Sequence, residues 1–94
     1  MRIYVAGPMT GIPDLNFPLF HSVTANLRAL GHVVINPAEI NADPAAGWNE
    51  CMRADIAHLV TCDAICMLPG WQASKGATLE HHIASALSMQ VMEA

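Results

Sequence analysis

The chain has 94 residues, 53% hydrophobic and 13% charged, with a mean hydropathy of +0.34. That length allows one small domain with a modest core, and so large an apolar fraction points to surface hidden between copies in a homo-oligomer. Four Lys/Arg against eight Asp/Glu leave a net charge of −4 and exclude a basic patch; a nucleic-acid polymer is therefore not an expected partner, whereas helix N-termini and loop amides suffice for a mononucleotide phosphate.

Residues 2–6, RIYVA, read as a short strand ending at the Gly-Pro of AGPMTG. In NFPLFHSVTANLRALG, Asn16 is the expected N-cap, and Phe17, Phe20, Val23, Leu27 and Leu30 recur at helical spacing until Gly31 stops the helix. HVVIN is a second strand, closed by Asn36-Pro37, and a turn-rich connection follows with Asp43-Pro44 and Gly47. From Trp48 the apolar positions Trp48, Met52, Ile56, Leu59 and Val60 mark a second helix. DAICML, residues 63–68, suits a fully buried central strand, with Asp63 as a structural hydrogen-bond acceptor at its start. The loop PGWQASKG leads to a helix beginning near Gly76, and MQVM supplies a short last strand.

Strand, helix, strand, helix, strand, helix is the order of an α/β domain with a parallel sheet, in which ligands bind at the carboxyl ends of the strands. That edge carries AGPMTG, the NPAE turn and LPGWQASKG. No apolar run is long enough to span a membrane, and the N-terminus enters a strand pattern without the apolar region of a signal peptide. Cys51, Cys62 and Cys66 form no CxxC and read as buried thiols of a cytoplasmic protein.

Two carboxylates fall where helices should be apolar. Glu80 lies three residues from Ala77 and Ile83 and four from Ala84, and Asp55 lies three after Met52 and four before Leu59. A charge so placed costs free energy unless something satisfies or uses it. Taken singly, each reads as a cap for a neighbouring loop; together, beside those loops, they read as a site. No HExxH, GxSxG, P-loop, GxGxxG or Cys/His ligand spacing is present, and His81 and His82 point in different directions on a helix, so neither metal nor cofactor is expected. A carboxylate nucleophile working without either is typical of glycosyl transfer. Glu80 in the first turns of its helix is expected to be ionised, favoured by the positive helix end.

IYVAGPMTG, DIAHLVTCDAICML and SKGATLEHHIASAL resemble the nucleoside 2-deoxyribosyltransferase-like superfamily, and NFPLFHSVTANLRALGHVVINPAE resembles its small DUF4406 family in particular. The resemblance covers nearly the whole chain. It implies a single three-layer Rossmann/flavodoxin-like α/β domain over residues 1–94, with a short parallel sheet of about four strands. It further implies cleavage or transfer of the N-glycosidic bond of 2′-deoxynucleosides or their 5′-monophosphates.

In that scheme Glu80 attacks C1′, Asp55 assists protonation or orientation, and Tyr4 lies beside the sugar. Ser74, Gly76 and Gly7 hold a phosphate, with Thr10 as a further contact, and Trp71 stacks on the base. Each role has a plainer rival. Tyr4 reads also as an ordinary strand aromatic, Ser74 as a helix cap, Gly7 as a turn residue and Trp71 as part of a subunit contact. Ser74-Lys75 replaces the acidic residue found before the loop glycine in many transferases, which leans towards a phosphate-binding, hydrolase-like site. SMQVMEA follows the Glu80 helix where the familiar transferases continue with a strand and a tail. A non-catalytic nucleotide-binding module and a purely structural oligomer are the alternative readings.

Overall fold

The apolar runs become four strands of one parallel sheet. A computed structural model describes residues 1–41 and 45–94; the predicted Asp43-Pro44 turn lies outside the described residues. The strands are β1 (Arg2–Ala6), β2 (Val33–Ile35), β3 (Ala64–Met67) and β4 (Gln90–Glu93), and the helices are α1 (Phe17–Ala29), α2 (Pro37–Ile40), α3 (Trp48–Leu59) and α4 (Lys75–Ala86). A turn with left-handed backbone occupies Pro13–Asn16, and a single 3-10 turn occupies Trp71–Ala73. The strand order is β2-β1-β3-β4, with Tyr4 level with Ile35 on one side and Ile65 on the other. This is the flavodoxin-like order, and its reversal between β1 and β3 is where such sheets open a crevice.

Alternation along the central strands divides the core into two faces. Ile3, Val5, Ala64 and Cys66 turn towards α1, where Phe20 is buried and Val23 and Leu27 are half-buried. Tyr4, Ala6, Ile65 and Met67 turn the other way, onto Leu59, Cys62, Ala77 and Ala84 from α3, the turn after it, and α4. Burying side chains such as Phe20, Leu59 and Ile65 contributes about 1.5–3 kcal/mol each, which is what holds the three layers together. At the exits of the two central strands, a Cβ on Gly7 would stand 2.6 Å from Cβ of Leu68. Glycine is therefore required for β1 and β3 to leave the sheet side by side.

Several expectations are corrected. The helical stripes end early: Leu30, Val60 and Leu87 are C-cap residues, exposed at 75, 51 and 55%. Past Leu30 the chain turns away at Gly31, whose φ is +93°, and His32 N donates back to the Leu27 carbonyl. Asn16 occupies the N-cap position of α1 but does not cap it. It sits in the left-handed region, as do Asp14 and Leu15, and its Nδ2 donates to the Pro8 carbonyl at 3.0 Å, tying the start of α1 to the first loop. Cys62 and Cys66 are buried as expected, whereas Cys51 is half-buried. Asp63 accepts from Arg2 N at 2.9 Å, the structural role foreseen for it. Among the described residues no helix is long and apolar enough to cross a membrane.

Candidate active site

Tyr4 is the buried polar side chain on the α3/α4 face of β1, and the two inward carboxylates meet it there. Tyr4, Glu80 and Asp55 are 0, 5 and 6% exposed. The Tyr4 hydroxyl donates to Oε2 of Glu80. The same hydroxyl acts on Asp55, where it favours the ionised carboxylate. Asp55 Oδ1 also accepts from Nδ2 of Asn41, the residue closing α2, at 2.6 Å. Three strand–helix units thus supply one cluster, two acids and a phenol, set into the layer between sheet and helices.

Electrostatics follow from the burial. Loss of water pushes Glu80 up to about 8, the charge of Asp55 adds to the rise, and the Tyr4 hydrogen bond pulls against it. Burial likewise raises Asp55, to about 6, opposed by the Asn41 hydrogen bond, by His58 and by the nearby Tyr4 hydroxyl. Tyr4 is held well above its ordinary value by burial and by both carboxylates, so it remains a donor. This overturns the expectation that the end of α4 keeps Glu80 ionised. Glu80 is the sixth residue of α4, beyond the first turn in which the helix dipole acts, and desolvation wins. Near neutral pH the two acids hold about one proton between them, and desolvation favours keeping it on the more deeply buried Glu80.

The remaining predicted residues lie in the loops after β1 and β3 and in the first turn of α4. Ser74 is the N-cap of α4, its Oγ accepting from Ala77 N at 3.1 Å. Gly76 lets α4 approach α3, since a Cβ there would lie 3.1 Å from Sδ of Met52. Beside it the Lys75 ammonium sits over the Trp48 ring, 4.1 Å from its centroid. Gly7 follows β1, and Thr10 is exposed in the loop beyond it. Trp71 is half-buried and stacks on His81, centroids 4.4 Å apart, so its ring already has a partner within the chain. A shallow depression of about 180 Å³ lies at the ends of β3 and β4, bounded by Leu68, Pro69, Trp71 and Glu93 among others. None of the three buried groups lines it. Among the described residues no three His, Cys, Asp or Glu are gathered as metal ligands would be.

Asn41 is the member that sequence reasoning missed. It carries no periodic signal, and an Asn after a short polar segment reads as a turn residue.

Residues 1–93 match the DUF4406 family, a domain of unknown function. No curated protein matches the chain. Among solved structures, a 2-deoxyribosyltransferase from Bacillus psychrosaccharolyticus superposes with a TM-score of 0.78 at 20% identity, over 99% of this chain and 71% of that one. A 2-deoxyribosyltransferase from Leishmania mexicana superposes with a TM-score of 0.75 at 26% identity, over 98% of this chain. The chain spans only 62% of the Leishmania protein's length. The shared feature is the fold.

Proposed function

The chain belongs to the DUF4406 family, and from its buried carboxylates we propose that it breaks the N-glycosidic bond of 2′-deoxynucleosides or their 5′-monophosphates, passing the sugar to water or to a second base. The observation that carries this reading is the pairing of Glu80 and Asp55 around the Tyr4 hydroxyl. The two solved deoxyribosyltransferases with the same fold support it.

Glu80 is the nucleophile and Asp55 the acid/base. In the attacking arrangement the shared proton sits on Asp55 and Glu80 is a carboxylate. An Oε of Glu80 bonds to C1′, the C1′–N bond breaks, and its electron pair leaves with the base, which takes the proton from Asp55. Positive charge developing at C1′ stabilises the Glu80 anion, which offsets the desolvation that protonates it at rest. Water or an acceptor base then attacks C1′, Asp55 accepts the proton released, and Glu80 departs as carboxylate. Ser74, Gly76, Gly7 and Thr10 are the contacts for sugar and phosphate, and Trp71, with one ring face held by His81, is the candidate to stack on the base. The exposed apolar residues at the two edges of the sheet, Leu30 and Val33 at β2 and Leu87 and Val91 at β4, are candidate positions for association between copies, and the thiols of Cys62 and Cys66 suit the cytoplasm.

The rival reading is a nucleotide-binding module of the same fold without turnover. One observation favours it: with Glu80 at about 8, the resting site holds its nucleophile protonated at neutral pH. Chromatography after incubation with a panel of deoxynucleosides and their monophosphates, with and without an acceptor base, separates the two. Free base from the wild type and none from Glu80→Ala supports catalysis, and a new nucleoside makes it a transferase. Saturable binding with no base released from any substrate selects the module.

A further inference from the structure

α2 is four residues long, a single turn that has no stability of its own in water. The fold pins it from three sides. Asn36, 1% exposed, caps its start by accepting from Ala38 N at 3.0 Å, while its Nδ2 bonds the Nδ1 ring nitrogen of His21 at 3.2 Å. Glu39 is gripped by Arg28 of α1 through two hydrogen bonds, 2.7 and 3.0 Å, and the same guanidinium donates to the Val34 carbonyl of β2 at 3.0 Å. At its close, Asn41 N donates to the Pro37 carbonyl at 2.9 Å. What this bracing delivers is the Asn41 amide, 2.6 Å from Asp55 Oδ1.

An amide nitrogen only donates, so Oδ1 of Asp55 is committed as an acceptor and Oδ2 is left to carry a proton. We infer that Asn41 is the positioning residue of Asp55, orienting its carboxyl and confining its exchangeable proton to Oδ2. The inference rests on the reading of Asp55 as acid/base given above. The groups facing Asp55 are the Tyr4 hydroxyl from β1, the Glu80 carboxyl from α4 and His58 farther along α3. Asn41 stands apart from them as the neutral donor brought by α2, whose loss removes a stabiliser of the Asp55 anion and no charge.

The test is a titration of the whole protein with ¹³C-labelled carboxyls, followed by NMR in the wild type, Asn41→Ala and Asn41→Gln. In Asn41→Ala the Asp55 midpoint rises by about one pH unit, and Asn41→Gln, which keeps the amide, restores at least half of the change. Where base release is measured, Asn41→Ala lowers kcat roughly tenfold with KM unchanged, and the limb set by Asp55 moves up in pH by the same amount as the NMR midpoint. An Asp55 midpoint that ignores Asn41→Ala overturns the inference. If that variant fails to fold, the wild type decides: its Asn41 side-chain amide protons must shift with the Asp55 midpoint, and an amide that does not follow overturns the inference equally. Absence of base release from the wild type counts against catalysis, and the NMR midpoints then decide the part played by Asn41.

Discussion

Tyr4 and Glu80, 76 positions apart, are joined by a hydrogen bond in which the phenol donates and the carboxyl accepts, both out of contact with water. The bond links the first strand to the last helix. It also ties the protonation of Glu80 to a group that stays protonated throughout the neutral range, because burial and two neighbouring acids push Tyr4 well above its usual value. The donor opposes the desolvation that raises Glu80, and so the phenol sets how readily the carboxylate forms.

Tyr4→Phe therefore raises the Glu80 midpoint above about 8. A rise of one pH unit leaves roughly a tenth as much carboxylate at pH 7. Base release is expected to fall by a similar factor throughout the range in which the two acids share one proton, because that proton moves less readily from Glu80 to Asp55, and the alkaline limb of the profile moves up. Loss of the bond itself costs about 1 kcal/mol of stability. A pH–rate profile identical to the wild type's would show that Tyr4 is only a strand aromatic.

Stability should fall as pH rises, the reverse of the usual behaviour of a paired carboxylate. Glu80 titrates near 4.5 when unfolded and at about 8 when folded. Between those values the native state holds a proton that the unfolded chain has lost, so native stability declines by about 1.4 kcal/mol per pH unit. It is fully present below pH 4.5 and falls no further above pH 8. Asp55 adds a smaller decline between 3.8 and about 6. Glu80→Gln keeps only the Asp55 part, and its melting temperature should cross above the wild type's as pH approaches 8. A wild-type melting temperature constant from pH 5 to 8 would contradict this.

The two site glycines should respond differently to alanine. Gly7→Ala drives a Cβ into the backbone-anchored Cβ of Leu68 at 2.6 Å. It should cost about 1–3 kcal/mol as the exits of β1 and β3 separate. Gly76→Ala meets the far end of the flexible Met52 side chain at 3.1 Å, and α4 gains less than about 1 kcal/mol of helix propensity at its first turn, so the net change is small. Urea denaturation of both variants checks the ranking.

Ser74 has one role in hand, the cap of α4, and one proposed, a phosphate contact. Ser74→Ala removes the cap and should cost about 1 kcal/mol. Ser74→Asp keeps the cap and sets a negative charge against any phosphate. If the proposed contact exists, Ser74→Asp raises KM for the 5′-monophosphate at least tenfold while leaving the nucleoside's unchanged. Equal KM changes for the two substrates would leave Ser74 as a cap.

Element order, parallel pairing and the inward faces of Asp55 and Glu80 were legible in the chain, because strands and helices impose periods of two and 3.6 on residues that must leave water. Even the short β4 announced itself in MQVM. Where the local pattern ran past the element, at Leu30, Val60 and Leu87, the reading failed, because a cap residue follows the chain's turn and not the helix face. Asn16 failed for a related reason: its side chain found a better partner in the Pro8 carbonyl than in its own helix.

What the sequence determined alone was therefore the set of layers and which carboxylates enter them, since both depend on spacing along one element. Only the tertiary structure decided what those carboxylates meet. Asn41 on Asp55, Tyr4 on Glu80 and Trp71 on His81 join residues that no local period relates. The ionisation order was decided there as well, because desolvation depends on everything packed around a group, and at the sixth residue of α4 it outweighs the helix end that the sequence made visible.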